Sequence, residues 1–168
     1  VKTFVSTALM MNHTYSVDTL TASYFHQYYP VAGEVLSNYY LSLEKRMEKH
    51  GKPYDLYGSF RRSLDTYLDP EEFITFYRSV DSLRAISSSP EKEKLDKLYT
   101  ALSYTRMQIS YTMNNSPYGF ADIKNKTVHI KPGIKPAHQQ LCRYSEYDDM
   151  QNFKEVGGQL EHYLNEWK

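Results

Sequence analysis

Two helix-start signals, Asp69-Pro70-Glu71-Glu72 and Ser87-Ser88-Ser89-Pro90, each open a long run of apolar residues at helical spacing. In the first, Asp69 is placed to cap, Pro70 stands at the first helical position, and Glu72 occupies the capping-box position. Phe73, Phe76, Tyr77, Val80, Leu83 and Ile86 then recur at steps of three and four. In the second, Ser89 is the predicted cap and Pro90 the first helical residue. Leu95, Leu98, Tyr99, Leu102, Arg106, Ile109 and Met113 follow along one face, after a polar start, Glu91-Lys92-Glu93-Lys94, that reads as a solvated turn. Stripes of this period must be buried against other helices, which makes the centre of the chain an α-helical assembly.

The flanks extend that pattern. Phe4, Val5, Ala8, Leu9 and Met11 mark a helix over Lys2 to Asn12. Asn12-His13-Thr14-Tyr15 breaks it, and Ser16 is placed to cap a second helix carrying Val17, Leu20, Tyr24 and Tyr28. Pro30 ends that helix, because the residue before a proline avoids the α region. Val31, Val35, Leu36, Tyr39, Leu43 and Met47 line a third, long helix, which Gly51 and Pro53 should stop. Tyr54 to Leu68 is weakly periodic and reads as a loop with one short helix. After Asn114-Asn115-Ser116-Pro117 the texture changes. Phe120 to Ile123 and Thr127 to Ile130 flank Lys124-Asn125-Lys126 as a small β-hairpin. Pro136 opens a short helix through Cys142. Asp148 or Asp149 caps a last helix bearing Phe153, Val156, Leu160, Tyr163, Leu164 and Trp167, with Gly157-Gly158 as a weak point inside it. The expected fold is mainly α, an irregular bundle of about six helices with a small late hairpin. Residues 1–113 form the bundle region, 114–135 a loop and hairpin, and 136–168 C-terminal helices packed on the bundle.

Composition narrows the function classes. The 168 residues carry 20 Lys+Arg against 20 Asp+Glu, so the bulk charge excess that nucleic-acid binding exploits is missing. A single cysteine, Cys142, excludes an internal disulfide framework. No apolar run approaches the ~20 residues of a membrane helix, and no signal peptide is visible. The chain opens on Val1 within an apolar-periodic stretch and reads as a fragment or a processed product. Tyrosine is the unusual residue, with 17 copies. Each offers a large ring and one hydroxyl that needs a partner. In a helical domain such residues serve first as wedges between helices, and otherwise as sugar-stacking or protein-contact surfaces.

Reactive constellations are hard to find. The six histidines are scattered, and no pair sits four apart beside a glutamate as a zincin helix requires. A lone cysteine cannot build a thiolate cluster, so no metal is expected. There is no Gly-x-Ser-x-Gly elbow and no phosphate-cradling glycine loop, and no cofactor is expected. Arg143 beside Cys142 could favour its thiolate, but the spacing reads more simply as an incidental thiol. The acid pairs Glu71/Glu72 and Asp148/Asp149 sit where helix N-termini want negative charge, not opposed across a cleft as glycoside hydrolysis demands. Between Ile123 and Ser145 there is no acid, while Lys124, Lys126, Lys131, Lys135 and Arg143 accumulate. That segment is read as a solvated loop whose charges balance elsewhere, with an anionic ligand as the sharper alternative.

The order of elements in the first half resembles a junction in large bacterial proteins of polysaccharide breakdown. VKTFVSTALMMNHTYSVDTLTASYFHQYYP is similar to a stretch in a domain-of-unknown-function family of glycoside-hydrolase-like proteins, themselves distantly similar to α-glucuronidases and related barrel enzymes. Leu9-Met10-Met11-Asn12 matches the end of that family's last barrel helix, with Met11 in place of a tryptophan. Val17-Asp18-Thr19-Leu20 matches a following turn, Phe25 to Tyr29 the next helix end, with Pro30 in place of a glycine, and Ala32 to Leu43 the next helix. YGSFRRSLDTYLDPEEF resembles the segment that leads into the later helices. The resemblance covers about residues 1–113. It implies that residues 1–12 are the closing helix of an upstream barrel and that the catalytic carboxylates lie on that barrel, outside this chain. It also implies a periplasmic or extracellular address.

On that basis the chain is expected to be a non-catalytic helical accessory domain of a polysaccharide-processing protein. It would support the barrel or wall its cleft, and would be inactive alone. Its partners would be the upstream barrel of the same parent chain and a polysaccharide, with no nucleic acid and no membrane insertion. Carbohydrate-contact candidates are His13, Tyr15 and Tyr118, which fall in connections where side chains are free to face a ligand. Tyr28 and Tyr29 are read as packing residues. The competing expectation is a stand-alone helical module whose aromatic surface meets another protein.

Overall fold

A computed structural model describes residues 1–51, 53, 58–114, 116–147 and 160–167. The fold is mainly α, with one late antiparallel hairpin. The described elements are α1 (Lys2–Met11), α2 (Val17–Tyr28), α3 (Gly33–His50), α4 (Phe60–Leu64), α5 (Pro70–Ile86), α6 (Ser89–Thr112), β1 (Ala121–Lys124), β2 (Thr127–Ile130), α7 (Ile134–Cys142), a 3-10 turn (Arg143–Glu146) and α8 (Leu160–Asn165). The chain divides into two compact units, Val1–Leu95 and Asp96–Lys168, with the division inside α6.

In the first unit the local signals act as the sequence suggests. Ser16 Oγ accepts the Thr19 N–H at 3.4 Å, and Asp69 Oδ1 accepts the Glu72 N–H at 2.9 Å. Gly51 ends α3 in the left-handed conformation, φ 66°, that a side chain would resist. Glu72 departs from the capping-box expectation. Its carboxylate turns away from its own helix end, accepts the Ser42 hydroxyl at 2.7 Å and pairs with Arg46, both on α3. A cross-helix cation outbids the local N–H, so the residue ties α5 to α3 instead.

The core of this unit is aromatic. Tyr39 of α3 stacks on Phe76 of α5 with centroids 3.7 Å apart, and Phe73 meets the same tyrosine edge-on at 6.4 Å. Leu36, Val80 and Leu95 are fully enclosed around them. Burying side chains of this size contributes roughly 1.5–3 kcal/mol each. Part of the tyrosine surplus therefore serves as wedges: in this unit Tyr39 and Tyr77 are buried, whereas Tyr15, Tyr28 and Tyr40 are exposed. Helices α2 and α3 approach so closely at Gly33 that an added Cβ would lie 2.7 Å from the Phe25 carbonyl oxygen.

The polar start of α6 is not the solvated turn that its composition suggests. Glu91 is only 2% exposed. Its Oε1 accepts the N–H groups of Val31 and Ala32, each at 2.9 Å. Lys94 donates to the Tyr28 carbonyl at 3.2 Å and lies over the Tyr28 ring at 5.2 Å. Only Lys92 and Glu93 of that run are plain surface residues.

In the second unit α6 is buried over more than the predicted stripe. Thr100, Ser103, Met107 and Ser110 are fully enclosed alongside Ile109. The hydroxyls return to their own helix, Ser103 Oγ to the Tyr99 carbonyl and Ser110 Oγ to the Met107 carbonyl, so small polar residues can face a packed neighbour. One of them is shared: Gln140 of α7 donates to Thr100 Oγ1 at 2.8 Å. Ile134, Ala137 and Leu141 of α7 and Leu160 and Leu164 of α8 complete this core. The hairpin pairs Ala121 with Ile130 through Lys124 with Thr127. The proposed caps Asp148 and Asp149, together with Phe153, Val156 and Gly157-Gly158, lie outside the described residues.

Candidate functional site

The second unit carries a cleft of about 610 Å³, within the range of small-molecule sites. Three helices supply it through residues at helical spacing. Gln108 and Tyr111 come from α6, Ile134, Lys135 and His138 from α7, and Tyr163, Glu166 and Trp167 from α8 and the turn that follows it. Residues three and four apart share a helix face, so each helix turns one short stripe into the same space. Phe120 and Ile130 close it from the hairpin.

Trp167 is the hub. Tyr111, Phe120 and Tyr163 each meet its ring at 6.2 Å, at 69°, 88° and 66°. Edge-to-face contacts of this kind fix the rings relative to one another. Tyr104 supports Tyr163 from behind at 5.3 Å. Burial pushes the Tyr163 phenol up to about 12, against the opposing pull of side-chain hydrogen bonds with Trp167 and Gln108.

The rim is charged in both senses. Lys135 and Glu166 are exposed, and His138 is half-buried, with Nε2 3.4 Å from the Leu164 carbonyl oxygen. Both His138 ring nitrogens lie 3.9 Å from Cys142 Sγ, four residues on along α7. Cys142 is an exposed thiol. The neighbouring Arg143 is committed to Glu146, with contacts of 3.0, 3.1 and 2.7 Å, and this fork holds the Glu146 carboxyl below its usual value. Lys131 is likewise engaged, with Asp122 at 3.3 Å and the Ser116 and Pro117 carbonyls at 2.9 and 3.1 Å. Two of the five cations in the acid-free stretch are therefore balanced by acids at its two ends, which favours the plain reading of that segment over a continuous basic surface.

The carbohydrate-contact candidates lie elsewhere. His13 and Tyr15 share the turn between α1 and α2, which Asn12 Oδ1 holds by accepting from the Thr14 N–H at 3.0 Å and its hydroxyl at 2.8 Å. Both side chains are exposed, Tyr15 at 52%. Tyr118 belongs to the second unit, is half-buried, and does not line the cleft. Its carbonyl accepts from Arg106 at 3.3 Å and its N–H donates to Ser116 Oγ at 3.1 Å. The cleft residues were accessible to sequence reasoning through one signal: Tyr111 is an aromatic residue off the apolar stripe of α6. Trp167 falls at the end of a core stripe, a position that gives no local sign of the cleft.

Among the described residues no group of three or more His, Cys, Asp or Glu side chains converges to hold a metal ion. No described helix is long and apolar enough to cross a membrane. No family model, no curated protein and no solved structure matches the chain.

Proposed function

We propose that this chain is a non-catalytic helical accessory region of a glycoside-hydrolase-like, polysaccharide-processing protein, periplasmic or extracellular, that supports an upstream barrel or walls its cleft. The observation that carries the reading is the C-terminal end of α1, since the other exposed residues of that helix, Lys2, Thr3, Ser6 and Thr7, are polar. Met10 and Met11 are 87% and 83% exposed, and Val5 is the one buried residue of the ten in that helix. Adjacent large apolar side chains left in water mark a surface made for another body. In the closing helix of a barrel, that body is the barrel itself. The acids support the same reading. Glu72 is engaged by Ser42 and Arg46, and among the described residues Glu166 is the one carboxylate that lines the cleft, whereas glycoside hydrolysis takes two.

A paired assay tests this. The chain alone should turn over no glycoside substrate, and Met10→Lys with Met11→Lys should leave its circular dichroism unchanged. In the parent chain that retains the upstream region, the same pair should lower thermal stability and hydrolysis together. Turnover by the chain alone, abolished by changing one named carboxylate, overturns the reading.

The hairpin favours a second reading, a stand-alone protein-interaction module, because Ile123, Val128 and Ile130 are exposed aliphatic residues on a two-stranded sheet with unpaired edges. The coding sequence upstream of Val1 separates the two: alternating strand and helix patterns belong to the accessory reading, their absence to the module.

A further inference from the structure

We infer that the aromatic cleft of the second unit binds a neutral oligosaccharide, one pyranose of which lies against Tyr111 and Trp167. This goes beyond the accessory role and rests on the second unit alone, whatever α1 docks against. Three observations converge on it. First, the walls are flat and partly in solvent. Tyr111 is 67% exposed although its ring is held edge-on to Trp167 at 6.2 Å. Such a ring is held by a neighbour and still keeps most of its surface available, which suits the C–H face of a sugar and limits the ordering cost of binding.

Second, the polar groups are mixed in kind. Gln108 offers both amide donor and acceptor, Glu166 accepts, Lys135 donates, and His138 can do either. Hydroxyls around a pyranose both donate and accept, and so match such a rim. An ion would need one sign of charge, and here Lys135 opposes Glu166. The nearby cations that could have made the rim basic, Lys131 and Arg143, are bound to Asp122 and Glu146. Third, the cleft has the size of a small-molecule site, and four aromatic rings and two isoleucines line it beside a few placed polar groups.

Trp167 is the sole tryptophan, so its emission reports the site directly. The full chain is titrated with cello-, xylo-, manno- and malto-oligosaccharides, and separately with tetramethylammonium chloride. At least one sugar series should give a saturable change in emission. Tyr111→Ala, at a position whose exposure makes truncation harmless to the fold, should weaken binding about tenfold with circular dichroism unchanged. Glu166→Ala, at the exposed rim, should weaken it about threefold. No response to any oligosaccharide, equal responses from the wild type and both variants, or a response to the ammonium ion in place of sugar each overturns the inference. None of these results touches the accessory reading, which is read out at Met10 and Met11.

Discussion

The Glu91 carboxylate accepts the backbone N–H of Ala32 at 2.9 Å, across 59 residues of sequence. Pro30 and Ala32 give α3 no side-chain cap of their own. The orphan donors at that helix start are met instead by an acid from the first turn of α6, where negative charge also suits the helix dipole. Glu91→Ala leaves the buried Ala32 N–H and the part-buried Val31 N–H without this partner and should cost about 2 kcal/mol in denaturant unfolding. Glu91→Gln keeps an acceptor and should cost about 1 kcal/mol. Equal stability of the wild type and Glu91→Ala would show that water replaces the carboxylate.

Gly33 should resist the smallest enlargement. A Cβ there meets the backbone of α2, with Phe25 O at 2.7 Å and His26 Cα at 2.8 Å, and backbone cannot rotate away as a side chain can. Gly33→Ala should therefore destabilise by roughly 1–3 kcal/mol despite the better helix propensity of alanine. A raised melting temperature would contradict the close approach of the two helices.

These two positions show where the sequence was silent. Ser16, Asp69 and Gly51 act on their own helix ends, so composition within a few residues was enough to place them. The hairpin strands were legible for the same reason. Composition alone puts Glu91 in a solvated turn and Glu72 in a capping box, because their partners, Val31, Ala32, Ser42 and Arg46, are remote in sequence. Met107, Thr100 and Ser110 were missed because α6 is covered over a wider arc than one stripe. The cleft needs three helices and the hairpin to be in place before its rings meet, and no local spacing encodes that.

The hairpin turn carries a correctable flaw. Asn125 and Lys126 sit at φ 52° and 62°, the paired left-handed conformation of a tight two-residue turn. Both side chains carry a Cβ that crowds the backbone there, and asparagine offsets the cost through its short amide, which can hydrogen-bond locally, whereas lysine has no such offset. Lys126→Gly should stabilise the hairpin by about 0.5–1 kcal/mol, seen as slower amide exchange across the pairs from Ala121–Ile130 to Lys124–Thr127. Faster exchange would contradict the turn geometry.

Buried phenols set an alkaline limit. Burial raises Tyr163 from 10.0 to about 12, and Tyr39 further. Unfolding restores the ordinary value, so above pH 10 the unfolded chain loses these protons first. Their contribution to stability is thus complete below pH 10 and disappears as pH rises through about 12. A phenolate absorbance titration should show a late-titrating set that includes both residues, and Tyr163→Phe should move one tyrosine out of it. A single transition near the ordinary value would show that these rings are open to water.

The accessory reading stands or falls on what covers α1, and methionine oxidation measures that directly. In this chain Met10 and Met11 should be oxidised rapidly by dilute peroxide, while the fully enclosed Met107 is spared and serves as the internal reference. In a parent chain carrying the proposed barrel, both methionines should become as slow as Met107. Equal, rapid oxidation of Met10 and Met11 in both chains would mean that no barrel sits on this helix.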